Sequence, residues 1–379
     1  MKKIKGIAGF LVDGLVESTR LLGQGRNVGC FGFIDEEGYI SSHTELVEGG
    51  LSGIPLRVLL GKVAAMEGNS IIEGLKQLPD NAVFITTRSG KTGLITDVTG
   101  VDFFNLPVVS IGVKNDGVAG VGLIMPKPGH YDLATEAEYL NLETLVTDTM
   151  EAEKEVLRKT NELGLAFLDL SDSLPVVDLP EKEPVKHSPV ESSWRLPRAK
   201  VTALNGELAK ELVEESISIG QGREVSVIGQ LDDQGVVQPL GKIIAGGMGY
   251  VPARLMASSA ADIKGKSLRE IYGDVLPDNA VIVHTHPGGT GVMHVGDASA
   301  GPGTWGRPII AIGHDQDGEI KGATVIEVED RLYQLADEDE RLNIAFFDAG
   351  TPEEEAEIRN RKFGIAQEYT GLCKPIELT

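Results

Sequence analysis

The chain has 379 residues, a formal charge of −22 and two cysteines, Cys30 and Cys373. Its length suffices for two domains with a core each, and its acidity argues against nucleic acid or an anionic membrane as partner, since both need a cationic surface. Two cysteines make no disulfide framework and point to a reducing compartment, the cytoplasm, and no run of about 18 apolar residues is present to span a bilayer.

In chain order, Lys2 to Ile7 predicts a short strand and Ala8 to Leu22 a helix. Gly23-Gln24-Gly25-Arg26 follows, then the strand-like Phe31 to Ile34 and the acidic turn Asp35-Glu36-Glu37-Gly38. Ile54 to Met66 predicts a helix, and Leu78 to Val83 and Leu106 to Gly112 lead into strands. Glu136 to Leu165 reads as one long helix of interleaved charged and apolar residues. Leu174 to Pro197 holds five prolines among Glu and Lys and predicts a linker without regular structure. Beyond it, Ala199 to Leu204 predicts a strand, and Asn205 is placed to cap a helix through Ile217 with Leu208, Leu212 and Val213 on one face. Ala253 to Ser259 and Ser267 to Tyr272 predict further helix, and Thr351-Pro352 before three glutamates is a helix start.

The chain repeats itself. Gly23-Gln24-Gly25-Arg26 returns as Gly220-Gln221-Gly222-Arg223, 197 residues on. Leu78-Pro79-Asp80-Asn81-Ala82-Val83 returns unchanged from Leu276 to Val281, 198 residues on, and Leu106 to Gly112 matches Arg307 to Gly313 at a spacing of 201. Three blocks in one order at a near-constant offset mark a tandem duplication, with domains expected over 1–165 and 198–379 and a linker over 166–197.

The copies differ where chemistry would sit. In the second, Val281-Ile282-Val283 reads as a strand that places His284 and His286 on one face, with Thr285 on the other. Pro287 and a glycine-rich loop then return His294 and Asp297. Two imidazoles and a carboxylate are the donor set of a catalytic zinc site, whose fourth position is left to water. The first copy has Thr86, Arg88, Thr96 and Thr99 at those places, and Asn27 where the second has Glu224.

Glu224 at a strand start, then His284-x-His286-Pro287, six residues, a polar residue, two more and Asp297, resembles the JAMM (MPN-positive) zinc metalloproteases. The resemblance covers about Ala199 to Asp330, and through the repeat a degenerate copy over Met1 to about Met125. It implies an α/β chain of the α+β type, in which two tandem MPN-like domains each have a mixed sheet flanked by helices in a deaminase-like layered arrangement. It also implies zinc held by His284, His286 and Asp297, water in the fourth position, and Glu224 as general acid/base. The family has serine where His294 stands. An imidazole there fits two roles, donor to the oxyanion or a further metal ligand that closes the site.

The function so implied is a metallopeptidase or isopeptidase acting on a protein or peptide, conjugates of ubiquitin-like modifiers among them, with the two copies forming a pseudo-dimer in one chain. A non-catalytic scaffold or assembly factor with a structural metal, and a hydrolase of a non-protein amide, are the alternatives. Ser89-Gly90-Lys91-Thr92 is no phosphate loop, because Ile85 stands where a glycine is needed. His43, His130, His187 and His314 lack partner spacing and are expected at the surface.

Overall fold

A computed structural model of the chain describes residues 3–51, 53–97, 100–114, 117–186 and 194–379. The first half runs β1 (Gly6–Ala8), α1 (Gly9–Leu22), β2 (Val28–Ile34), β3 (Tyr39–His43), β4 (Val47–Glu48), α2 (Leu56–Leu60), α3 (Ile71–Leu75) and β5 (Ala82–Ser89). It continues with α4 (Gly100–Phe104), β6 (Val108–Lys114), β7 (Gly117–Ile124), α5 (Pro128–Val146), α6 (Met150–Asp169), β8 (Ser171–Ser173) and β9 (Val176–Val177). The second half repeats this plan as β10 (Ala203–Leu204), α7 (Gly206–Ile219), β11 (Val225–Leu231), β12 (Val236–Pro239), β13 (Ile244–Ala245), α8 (Ala253–Ala260), α9 (Leu268–Glu270) and β14 (Ala280–Pro287). Then come α10 (Val295–Ala298), β15 (Ile309–His314), β16 (Ile320–Ile326), α11 (Asp330–Asp348), α12 (Pro352–Leu372), β17 (Lys374–Pro375) and β18 (Glu377–Leu378).

Each half builds a nine-stranded mixed sheet with the same strand order, β8-β7-β6-β5-β2-β3-β1-β9 in the first and β17-β16-β15-β14-β11-β12-β10-β18 in the second, the ninth strand of each, β4 or β13, pairing off this path with β2 or β11. The registers coincide as well. Gly29 faces Thr86 and Thr86 faces Ser110, as Ser226 faces His284 and His284 faces Ala311. The shared motif Gly-Gln-Gly has a physical reason: all three residues have positive φ, 64°, 52° and 75° in the first copy and 64°, 59° and 66° in the second. Glycine takes that conformation without a Cβ penalty, so the motif stops α1 and α7 abruptly and turns the chain into the next strand. The arginine that follows anchors the turn, Arg26 Nε on the Gly49 carbonyl at 2.9 Å and Arg223 Nε on that of Gly246 at 2.8 Å.

Both faces of each sheet are covered, so the central strands carry apolar residues on both faces. Val28, Cys30, Val83 and Ile85 pack beneath α1, and Val225, Val227, Val281 and Val283 beneath α7. The opposite faces, Phe31, Phe33 and Phe84 from one sheet and Ile228, Ile282 and Ile309 from the other, join one core with the helices of both halves. Phe103 lies 5.5 Å from Trp305, which stacks on Tyr272 at 4.0 Å.

Helices cross between the halves. α11 packs on α2, and its counterpart α5 packs on α8. Proline occupies the N-cap position of both receiving helices, Pro55 and Pro252, and has no side-chain oxygen to satisfy the first-turn N–H groups. The other half supplies it. Glu340 accepts from Arg57 N at 2.8 Å and Val58 N at 3.2 Å, and Glu138 accepts from Arg254 N and Leu255 N, each at 3.0 Å.

Several expectations need correction. The helix expected over Glu136 to Leu165 is two, α5 and α6, because Thr149 caps a new start by accepting from Ala152 N at 3.1 Å. The expected linker is partly sheet: β8 pairs with β7 and β9 with β1, through backbone bonds that need no hydrophobic pattern. Residues 178–186 have no regular structure, and 187–193, His187 among them, lie outside the described residues. The helix expected from Ile54 to Met66 is one turn, α2, ending at Gly61. Ser267 to Tyr272 is a three-residue helix followed by a π turn over Ile271–Val275. The opening strands are shorter than expected, Gly6–Ala8 and Ala203–Leu204.

The remaining histidines are interior, not at the surface. His43 sits against Phe10 with Nδ1 on the Thr44 carbonyl, and His314 bonds the Asp315 carbonyl and Ser216 Oγ. His130 is fully buried beside Phe167, and burial, helped by Arg254, pushes its pKa down to about 4. Each traded solvent for a carbonyl or an aromatic wall that spacing in sequence does not reveal. No helix among the described residues is long and apolar enough to cross a membrane.

Candidate metal centre

His284 and His286 lie on β14, on the face that carries Ile282, and β14 is held between β11 and β15. Pro287 ends the strand, and the loop after it is pressed onto the sheet. A Cβ on Gly313 of β15 would meet Gly291 N at 2.1 Å and Thr290 C at 2.3 Å, so only glycine lets the loop cross there. Thr324 Oγ1 fastens the loop by donating to the Gly291 carbonyl at 2.6 Å. Thus tethered, the loop delivers His294 and then α10, whose third residue is Asp297. The first half preserves the crossing, with Gly112 against Gly93.

Three ligand atoms converge there. His284 Nε2 lies 2.9 Å from His286 Nε2 and 3.1 Å from Asp297 Oδ1, and His286 Nε2 lies 3.7 Å from Asp297 Oδ2. Zinc bonds of about 2.0–2.1 Å at tetrahedral angles put ligand atoms about 3.3 Å apart, and the observed spacings bracket that value. The donor set therefore fits a divalent ion of the zinc type. Among the described residues, no other group of His, Cys, Asp and Glu converges in this way.

His284 is buried, and His286 and Asp297 are half-buried. Burial opposes the charge on His286, but the hydrogen bond and charge of Asp297 outweigh it, and with Glu224 and the Val292 carbonyl raise its pKa above the ordinary value. Burial opposes the Asp297 charge too, and the hydrogen bonds from His284 and His286 hold that carboxyl well below the usual carboxylate range. Asp297 Oδ2 also accepts from His294 N at 2.8 Å, which fixes the start of α10.

Glu224 immediately precedes β11. Its backbone exchanges hydrogen bonds with a glycine-rich flap, Glu224 N to Gly247 O at 2.9 Å and Gly246 N to Glu224 O at 2.8 Å. The Gly249 N–H reaches its carboxylate. Burial raises the Glu224 pKa above the usual carboxylate range, against the pull of His284 and His286. Glu224, Gly249, His286, Thr290 and His294 line a cleft of about 400 Å³ that opens to solvent. His294 is exposed at the cleft's rim, its ring parallel to that of His286 at 6.3 Å, and it is not one of the three convergent ligands.

The corresponding place in the first half holds an ion pair. Arg88, at the position of His286, binds Asp97 at 3.1 Å and 3.3 Å, and Thr86, at the position of His284, donates to the Thr87 carbonyl. Asn27, at the position of Glu224, is occupied between Leu51 O and Ser89 N. Thr99 lies outside the described residues. No family model matches this chain, and neither a curated protein nor a solved structure does.

Proposed function

We propose that this chain is a zinc-dependent amide hydrolase of the JAMM type, a peptidase or isopeptidase, built from two MPN-like domains with the deaminase-like layering, of which the second carries the chemistry. The convergence of His284, His286 and Asp297 beside Glu224 at an open cleft is the observation that carries this reading. His284 and His286 would present neutral Nε2 atoms to the ion and Asp297 a carboxylate oxygen. Bound zinc supplies Lewis acidity that brings a water's pKa to about 7.

Glu224 is placed for the proton. A carboxylate whose pKa is raised by burial sits nearer to neutral pH, where it both accepts a proton and gives it back. It takes the proton of the attacking water and delivers it to the leaving amine nitrogen, so the C–N bond breaks without expelling an amide anion. His294, at the rim, is placed to donate to the oxyanion that forms on the attacked carbonyl. The first domain, its equivalent place filled by Arg88 and Asp97, serves as structural partner, and a protein or peptide is the substrate class.

The test is metal content joined to turnover. The purified chain should hold about one zinc and cleave a fluorogenic peptide library or isopeptide-linked conjugates of ubiquitin-like modifiers, while Glu224→Gln keeps the zinc and loses turnover. A zinc-loaded chain that cleaves no amide overturns the hydrolase reading and leaves a structural metal site.

A further inference from the structure

The two zinc-facing imidazoles are not equally supported. A histidine that binds metal through one ring nitrogen keeps a proton on the other, and that N–H normally has an acceptor, which fixes tautomer and ring orientation. His286 has one, the Val292 carbonyl. His284 Nδ1 is buried and has no hydrogen-bond partner.

The residue directly across the ladder from His284 is Ser226 on β11. Residues directly opposite in an antiparallel pair project on the same face with Cβ atoms about 4.5–5.5 Å apart. Ser226 is fully buried, and its Oγ likewise has no partner. Two orphaned polar groups, one that donates when the ion is bound and one able to accept, thus occupy paired positions on the same sheet face, with no hydrogen bond joining them in this structure. Leaving both unmade is costly, since a buried donor or acceptor without a partner has lost its hydration and gained nothing in return.

The repeat supplies an independent control. The pair equivalent to Ser226 and His284 is Gly29 and Thr86. Where Thr86 replaces the imidazole the serine hydroxyl is gone too, and Ile54 fills the space, with its Cγ1 2.8 Å from where a Gly29 Cβ would stand. The serine accompanies the histidine, while the strand folds without it.

We propose that Ser226 is the positioning residue for His284: when the ion is bound its Oγ accepts the Nδ1–H hydrogen bond, which holds the ring with the Nε2 lone pair turned toward the ion. This role rests on the metal reading above. Ser226 touches neither the ion nor the substrate.

The experiment measures zinc affinity of the full chain by competition with a chromophoric chelator, and reads the His284 Nδ1–H in the zinc-loaded chain by imidazole 15N NMR. Ser226→Ala should keep the fold, as Gly29 shows the strand tolerates, weaken zinc binding about 10–100-fold, and move the His284 Nδ1–H signal away from its hydrogen-bonded position. Ser226→Thr, which keeps the hydroxyl, should restore both. Unchanged affinity in Ser226→Ala overturns the role, as does weakened affinity with an unchanged Nδ1–H signal, which would mark a packing effect. A wild-type chain that takes up no zinc overturns the metal reading itself, an outcome distinct from a wild-type chain and Ser226→Ala that bind equally well.

Discussion

Glu138 and Glu340 hold equivalent positions in the two halves, and each caps a helix belonging to the other. Glu340 closes the first turn of α2 through Arg57 N and Val58 N, and Glu138 closes that of α8 through Arg254 N and Leu255 N. The arginines between them are buried and bind back across the seam, Arg57 to Asp337 and Arg254 Nε to Thr135 Oγ1 at 2.9 Å.

Replacing either glutamate by alanine leaves two first-turn N–H groups without an acceptor behind a proline that offers none. Glu340→Ala and Glu138→Ala are each expected to lower stability by about 1–2 kcal/mol, read as a lower urea midpoint at unchanged slope. A midpoint that does not move would show that water serves these N–H groups as well.

The Glu340 cap also carries a pH signature. Burial raises its carboxyl from 4.5 to about 6, against the lowering effect of the Val58 and Arg57 N–H groups. The folded chain therefore binds this proton more tightly than the unfolded one. The associated stability is complete below about pH 4.5 and is lost as pH rises through about 6, to a total of about 2 kcal/mol. Glu340→Gln, which cannot ionise, should flatten that segment of the stability curve; an equal slope in both proteins would assign the pH dependence elsewhere.

Removing one ligand should empty the metal centre without unfolding the domain, because the first half folds around Thr86 and Arg88 at the same sheet positions. His286→Ala and Asp297→Ala are expected to fall from about one zinc per chain to none by elemental analysis, with circular dichroism retained. Loss of the fold together with the ion would make the metal a folding element.

The flap that holds Glu224 leans on the first half. A Cβ on Gly247 would lie 3.0 Å from Leu145 Cδ1 at the end of α5. That leucine is exposed and can turn away, but a Cβ on Gly246 would stand 2.3 Å from the Tyr250 carbonyl oxygen and 3.2 Å from that of Glu224, so Gly246→Ala should shift the flap, carry Glu224 out of line and reduce kcat tenfold or more, with zinc affinity unchanged. An unaltered kcat would show that the flap adjusts without moving the carboxylate.

How much of this was legible in the sequence follows from what each feature depends on. The duplication was, because Gly-Gln-Gly-Arg sets two glycines among three positive-φ residues in succession, and the strand registers of the two halves agree with the aligned blocks. The shared face of His284 and His286 was legible because alternation on a strand is geometry, and the structure brings Asp297 to both. β8 and β9 were not, since a sheet edge recruits backbone whatever its side chains. The buried histidines were hidden for a similar reason, their partners being carbonyls and rings distant in the chain. Arg57 and Arg254 could have been found. Each stands two residues after a proline, at the same 197-residue spacing as the glycine motif, yet the glutamates that meet their helices lie on other elements and carry no local mark.

The reciprocal capping has a bearing on how such a chain drifts. His284, His286 and Asp297 meet partners within their own half, and the other copy keeps the same sheet with Thr86 and Arg88 in place of the histidines. Positions along the seam answer to a residue in the opposite copy, and change in concert or not at all. A chain cut in the segment joining the sheets would give two fragments, each with one uncapped helix and one idle glutamate. Each would also lay bare its side of the core that the two halves now share.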